Sequence, residues 1–240
     1  MQKNIWHPIS KHQEILVGQY IVPNFVSNSV VIKTSESDIV VISPGASLIA
    51  DCPKEWSKTG TTIHLVMPNS FHYMGIDAWR EAFPQHKLYA SQGAIKKLLK
   101  KGVVTNSDEI ISLEKQQAPL PFNYSVLFPP GHRADDVWLK KYDKGSQSSL
   151  WITCDSFLNY ERMSNQPIAR AMQKILGAAP GLKMSQVVKW FILDNKRAFK
   201  NWALKQIEND RPKILIPSHG EVLDSATLPA QLSALLSQRL

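Results

Sequence analysis

Short segments rich in Val, Ile and Thr alternate with polar turn residues early in this chain, and this alternation constrains the fold more than any other feature. Such segments, bounded by Pro, Asn, Ser or Gly, are typical of β-strands. We expect strands at residues 14–22, 29–34, 38–43 and 61–66. The segment SVVIKTSESDIVVIS, which contains the second and third of these, predicts a β-hairpin.

The pattern changes after residue 75, where apolar residues recur at helical spacing. GIDAWREAFP ends at a proline and SQGAIKKLLKKG ends at a glycine, both of which are helix stop signals, and KLYA between them predicts a short strand. Further strands are expected within FNYSVLF, DVWLK, SLWITCD and KILIP, and a final helix after Thr227. This order predicts an α+β fold in which mixed sheets carry helices on their faces.

Residues 165–211 predict a helical insert between the last two of these strands. Apolar residues of the insert lie near one helical stripe, which we expect to be buried: Val187, Val188, Phe191, Phe199 and Trp202. The chain has no internal repeat and no linker rich in Pro, Gly and Ser. We therefore expect residues 1–240 to form a single domain.

Composition narrows the classes of function. The 240 residues carry a net charge of +8, which favours anionic ligands, but the basic residues are scattered and no aromatic-interleaved RNA motif accompanies them. Two cysteines without CxxC spacing exclude a disulfide framework and indicate reduced thiols. With no apolar leader and no stretch of 18 apolar residues, we expect a cytoplasmic protein with a small-molecule substrate, without a nucleic-acid or membrane partner. The oligomeric state is left open.

Four polar residues follow strand-like segments closely: His72, His132, Asp155 and His219. Taken singly, each has a structural explanation, since a histidine in a loop often forms a hydrogen bond and an aspartate after a strand often caps the next element. Together they point to a site, because the ends of neighbouring strands meet at one edge of a sheet.

The order of these residues resembles that of the metallo-β-lactamase superfamily, and the resemblance covers nearly the whole chain. It implies an αββα sandwich, two mixed sheets flanked by helices, with a metal site at one edge. The family's early Asp-Pro-Gly-like turn is resembled by VISPG, residues 41–45, where Ser43 occupies the position of the usual aspartate.

The family's HxHxDH loop is present only in a degenerate form, as in one branch of the superfamily. MPNSFH aligns with it, so Met67 and Asn69 replace two histidines and Phe71 replaces the aspartate, and only His72 matches. By the same resemblance, His132 matches a ligand of the first metal, Asp155 the carboxylate that bridges two metals, and His219 the last ligand of the second. The resemblance thus argues against a dinuclear site.

What remains implies a mononuclear site. His72, Asp155 and His219 would hold one zinc or iron ion, since two histidines and one carboxylate with open positions suit either metal. His132 and Asp155 are the expected catalytic residues, and Asn69 and Phe71 are expected to contact substrate. The implied activity is hydrolysis of an ester, thioester or phosphoester. The alternative is an inactive binding or scaffold protein that retains the fold.

Other polar residues have structural interpretations. His64 lies inside a predicted strand, which favours a cross-strand contact. Cys154 is expected to be a packed thiol that points away from Asp155 if the strand's alternation continues. Asp135 and Asp136 are expected in a turn or at the surface, with contact to the site as the alternative.

Overall fold

The structure is a computed structural model that describes residues 2–22 and 25–240, without the side chain of Phe25. It contains two compact units, Met1–Phe122 and Asn123–Leu240, called here the first and second units. The prediction of a single domain stays a prediction.

The described residues of the first unit form seven strands and two α-helices: β1 (Trp6–Ile9), β2 (His12–Val22), β3 (Phe25–Lys33), β4 (Asp38–Ile42), β5 (Thr62–Val66), α1 (Ile76–Ala82), β6 (His86–Ala90), α2 (Gln92–Lys100) and β7 (Ile110–Ser112). The strands form one sheet in chain order. Pairing is antiparallel from β1 to β4 and parallel from β4 to β7, so the sheet is mixed.

The predicted hairpin is confirmed as β3 paired with β4, with Val30 opposite Ile42. β1 was not predicted, because its sequence WHPI contains a proline. Pro8 is tolerated there since β1 is the edge strand and has a partner on one side only.

The core of the first unit is built on large aromatic side chains. Trp79 of α1 is fully buried, and its indole N–H donates a hydrogen bond of 3.0 Å to the carbonyl of Gly45. Trp6 of β1 packs against Trp79 with ring centres 6.5 Å apart. Helix α1 is thereby fixed beside the turn that follows β4, which is one of the turns expected to carry functional residues.

The second unit holds eight strands and three α-helices: β8 (Tyr124–Leu127), β9 (Trp138–Asp143), β10 (Ser148–Ile152), β11 (Leu158–Tyr160), α3 (Pro167–Leu176), β12 (Gly181–Lys183), α4 (Lys196–Asp210), β13 (Pro212–Ile216), β14 (His219–Gly220), β15 (Leu223–Asp224) and α5 (Leu228–Arg239). One sheet has the order β15-β13-β10-β9-β8, with β10 and β13 parallel. A smaller sheet has the order β12-β11-β14.

The expected apolar stripe of the insert is interrupted. A π-helical turn at Val188–Ile192 ends at Leu193, and α4 starts anew after Asn195, whose side-chain oxygen accepts a hydrogen bond from the amide of Ala198. The prediction of one buried stripe is therefore wrong for Val187 and Phe191, which are 36% and 72% exposed. Val188 and Phe199 are buried as predicted.

Phe199 belongs to the core of the second unit, in which aromatic rings surround Trp138. The Trp138 ring centre lies 5.4 Å from Trp151 of β10, 5.6 Å from Phe157 and 6.0 Å from Phe199. Within the described residues, no helix combines the length and apolar character that crossing a bilayer requires.

Candidate metal-binding residues

In the first unit, the turn after β4 and the loop after β5 leave neighbouring parallel strands at the same edge. The amide of Ser43 donates a hydrogen bond to the carbonyl of Val66, and that of Met67 donates to Tyr89, so the ladder continues into both connections. This places the Ser43 hydroxyl 2.7 Å from Nδ1 of His72. Tyr20 adds its own hydroxyl, 3.0 Å from the oxygen of Ser43.

Ser43 occupies the position at which the metallo-β-lactamase superfamily usually has an aspartate, and its hydroxyl orients His72. If Nδ1 of His72 carries the proton and donates it to Ser43, the lone pair of Nε2 is available to a metal. A neutral hydroxyl raises the basicity of the ring less than a carboxylate does. The hydroxyl of Ser43 can therefore orient His72 as an aspartate would, but its effect on the basicity of the ring is smaller.

The loop around His72 is held by its own side chains. The side-chain oxygen of Asn69 accepts hydrogen bonds from the amides of Phe71 at 2.8 Å and His72 at 3.1 Å. The ammonium of Lys101, after α2, donates a 2.6 Å hydrogen bond to the carbonyl of Ser70 and lies 4.6 Å from the Phe71 ring centre. Burial lowers the pKa of Lys101, as does the nearby charge of Lys97.

The three non-matching positions of the degenerate motif have different environments. Met67 is fully buried in the core of the first unit, and Asn69 is fully buried with its oxygen committed to the loop. Phe71 is 53% exposed. Contact of Asn69 and Phe71 with substrate stays a prediction, and for Asn69 the contacts in the loop are those of a structural residue.

In the second unit, Asp155 and His219 lie close together as their strand-end positions suggested. The parallel pairing of β10 with β13 continues past the strands, where the amide of Thr153 donates to the carbonyl of Ile216. His219 then begins β14, and its Nε2 lies 3.2 Å from Oδ1 of Asp155. The two side chains are 17% and 13% exposed, so the pair is mostly withdrawn from water yet accessible.

His132 has a buried carboxylate partner, Asp136. The sequence analysis gave contact of Asp136 with the site only as the alternative to a turn or surface position. Nε2 of His132 lies 3.1 Å from Oδ2 of Asp136, and both side chains are fully buried. The hydroxyl of Ser156 donates to the same carboxylate oxygen at 3.2 Å. The expectation of a surface position for Asp136 is wrong, because positive φ angles at Gly131 and Asp135 turn this loop back toward the unit.

The carboxylate of Asp136 fixes the proton of a neutral His132 on Nε2. Nδ1, which is also buried, is then the nitrogen that carries the lone pair. A buried carboxylate behind an imidazole is the usual arrangement for a histidine that binds metal or transfers a proton.

Cys154 is a sulfur donor beside Asp155 that sequence reasoning did not assign to the site. Its sulfur lies within 4.8 Å of an Asp155 carboxylate oxygen, so the prediction that it points away is wrong. The cause is that β10 ends at Ile152, and strand alternation no longer applies two residues later. Full burial, followed by the charges of Asp136 and Asp155, raises the pKa of this thiol well above its ordinary value.

His64 is a structural residue, as predicted. Its Nε2 donates to Asp38 of β4 at 2.8 Å, and the hydroxyl of Tyr89 of β6 lies 3.1 Å from its Nδ1. Burial lowers the pKa of His64, and the hydrogen bond from His64 lowers that of Asp38. This chain of contacts joins three adjacent parallel strands of the first unit.

Solved structures with the same fold include metallo-β-lactamases and an oxygen:oxidoreductase. A metallo-β-lactamase from Pontibacter korlensis is 14% identical with a TM-score of 0.56, and the match covers 97% of this chain and 98% of that one. DIM-1 metallo-β-lactamase is 15% identical with a TM-score of 0.57, and 99% of each chain is covered. Rubredoxin oxygen:oxidoreductase from Desulfovibrio gigas is 11% identical with a TM-score of 0.59, over 98% of this chain and 60% of that one.

No protein-family model matches the sequence, and no curated protein is similar to it at a significant level. The similarity to the solved structures shows that the chain has the metallo-β-lactamase-like α+β fold, so the predicted fold class is confirmed.

Proposed function

We propose that the chain is a metal-dependent hydrolase with a reduced metal site, acting on an ester, thioester or phosphoester. The observation that carries the proposal is the pairing of His219 with Asp155, 3.2 Å apart and partly accessible. An imidazole and a carboxylate this close together, at the ends of adjacent strands, are donors that one metal ion can bind at the same time.

The donor set fits a single zinc or iron ion. Imidazole and carboxylate are ligands of both metals, and Cys154 offers a sulfur that zinc binds well. We propose that His219 and Asp155 hold the ion and that His72 joins them as the third ligand. When bound, such an ion polarises the scissile group and lowers the pKa of water.

The remaining residues act on the proton and on the substrate. His132 acts as the proton donor to the substrate, while Asp136 stabilises the positive charge of its ring. The ring of Phe71 offers an apolar contact for the substrate beside the ammonium of Lys101. In the first unit, Ser43 keeps His72 in a single orientation through its Nδ1.

Metal content separates this function from the alternative of an inactive scaffold. The full chain, purified without chelator or histidine tag, is expected to contain close to one equivalent of zinc or iron. His219→Ala and His72→Ala should each lower this content and weaken metal affinity by at least about tenfold, because mutation of a mere hydrogen-bond partner of a ligand already weakens affinity about 10- to 100-fold. His7→Ala is the matched control, because His7 lies in the edge strand β1, where its Nε2 is 3.0 Å from the carbonyl oxygen of Gln2, and its loss should leave the content unchanged.

Activity is then assayed with p-nitrophenyl ester, thioester and phosphodiester substrates, before and after chelation and with added zinc. Hydrolysis that disappears on chelation and returns with zinc supports the proposal. A folded, metal-free wild-type chain without hydrolysis would contradict it and favour the scaffold.

A further inference from the structure

The strongest feature outside the candidate metal site is the exposed apolar face of α3. Ile168, Met172 and Ile175 follow one another at spacings of four and three residues, which places them on one side of the helix. They are 82%, 50% and 73% exposed, and no residue of α3 is buried. A helix of a globular protein ordinarily covers such a stripe with its own core.

The helix forms without using this face. Pro167 occupies its first turn, and Gly177 ends it in a left-handed conformation with φ of +59°. The side chain of Gln173 accepts a 2.7 Å hydrogen bond from the amide of Ser164, which ties the helix to the preceding loop. The apolar stripe is therefore not needed to hold α3 in place.

The segment that carries α3 is basic and contains no acidic residue. Residues 162–193 contain no Asp or Glu, and their five basic residues are Arg162, Arg170, Lys174, Lys183 and Lys189. These 32 residues therefore carry a net charge of +5. Arg170 and Lys174 belong to α3 itself and are exposed.

A second exposed apolar group follows in the same segment. Trp190 is 59% and Phe191 is 72% exposed. The ammonium groups of Lys189 and Lys196 lie 5.3 Å and 3.9 Å from the Trp190 ring. Exposed aromatic rings with adjacent cations are typical of protein segments that lie in the interface between lipid headgroups and acyl chains.

An anionic lipid surface fits this combination better than a second copy of the chain. Two copies in contact through α3 would bring two segments of charge +5 together, and the repulsion opposes association. A bilayer with anionic headgroups supplies both an apolar layer for the stripe and negative charge for the basic residues. It needs no complementary groove.

We infer that α3, together with the segment around Trp190, is a peripheral docking surface for membranes that contain anionic lipid. The inference does not depend on the proposed hydrolase activity or on a bound metal. It is opposed to the expectation from the sequence that the chain has no membrane partner, and the experiment below decides between the two.

Vesicle co-sedimentation of the full chain tests the inference. We expect binding to phosphatidylcholine vesicles that contain phosphatidylglycerol, little binding to pure phosphatidylcholine, and weaker binding at high salt. Ile168→Ser with Ile175→Ser should weaken partitioning at least about tenfold for each residue that enters the apolar layer. Arg170→Gln with Lys174→Gln should weaken it roughly fivefold for each charge removed.

Matched controls come from the first unit. Phe122→Ser removes a side chain that is 91% exposed but lies outside the basic segment. Lys96→Gln with Lys100→Gln removes the same number of charges from α2. Both controls should bind vesicles like the wild-type chain, and circular dichroism should be unchanged in every variant because the substituted side chains are partly or largely exposed.

Three results would overturn the inference. The first is equal binding to both kinds of vesicle, and the second is an equal loss in the α2 and α3 charge variants, which would reflect net charge alone. The third is self-association in sedimentation velocity that the Ile168→Ser, Ile175→Ser double variant abolishes without any vesicle binding by the wild type, which would identify a second copy as the occupant.

Discussion

The hydroxyl of Ser43 has two partners in the first unit, and removing it should affect both stability and metal affinity. Ser43 is 2% exposed, and its oxygen lies 2.7 Å from Nδ1 of His72 and 3.0 Å from the hydroxyl of Tyr20. Loss of a hydrogen-bond partner at a buried polar group costs about 1 to 3 kcal/mol. Since Ser43→Ala removes two such contacts, we expect a loss of about 2 to 4 kcal/mol in the free energy of unfolding.

Tyr20→Phe is the matched control, because it removes the hydrogen bond between Tyr20 and Ser43 and leaves His72 in contact with Ser43. It should cost about 1 kcal/mol. The contact between Tyr20 and Ser43 is counted in both single variants. The double variant should therefore lose about 1 kcal/mol less than the sum of the two, and urea titrations of all four proteins measure this coupling.

Metal affinity gives the second readout. Removal of a hydrogen-bond partner behind a metal-bound histidine typically weakens binding 10- to 100-fold, so Ser43→Ala should show a loss of about this size and Tyr20→Phe a much smaller one. A chelator competition assay measures both. If Ser43→Ala were no less stable than Tyr20→Phe and bound metal like the wild type, the argument that Ser43 holds His72 would be refuted.

Three further predictions concern pH, backbone and thiols. Burial lowers the pKa of His64 from 6.5, so the unfolded chain binds more protons than the native chain below that pH, and the free energy of unfolding should fall as pH falls below 6.5. In urea titrations across this range, His64→Gln should show a smaller change of the free energy of unfolding with pH. An unchanged pH dependence would contradict the assignment of the effect to His64. Gly220→Ala should destabilise the pairing of β11 with β14, because a Cβ would lie 2.0 Å from the carbonyl oxygen of Asn159. Gly60→Ala, which is also at positive φ but in open space, should show only the smaller backbone cost in thermal unfolding. Equal losses of stability in the two variants would rule out the steric cause. Burial raises the pKa of Cys52 to about 12 and that of Cys154 well above 9.0. Both thiols should therefore react with iodoacetamide much faster in the unfolded chain than in the native chain. Rapid labelling of Cys154 in the native chain would show that its burial is transient.

The sequence predicted those features that depend on local pattern. Val, Ile and Thr segments gave most strands of the first unit, and strand ends placed Asp155 and His219 near each other, since adjacent parallel strands end at one edge. The role of His64 followed from its position inside a strand. In each case one element and its immediate neighbour determine the outcome.

Features that depend on where a pattern stops were not predictable in this way. The exposure of Phe191 follows from the interruption at Leu193, where two helical segments with separate registers replace one. The contact of Asp136 with His132 depends on left-handed residues in an irregular loop, and Cys154 approaches Asp155 because its strand has already ended. Hydrophobic periodicity carries no information about the direction of a side chain outside a regular element.

The loop around His72 is held in shape by hydrogen bonds to side chains of the same unit. Asn69 closes the turn, Lys101 binds the carbonyl of Ser70 from outside, and Ser43 fixes the imidazole. An ion arriving at such a loop would find the ring already aimed, and little chain entropy would be lost on capture. Because these contacts do not involve an ion, the backbone from residue 69 to residue 72 should follow the same path in the metal-free chain.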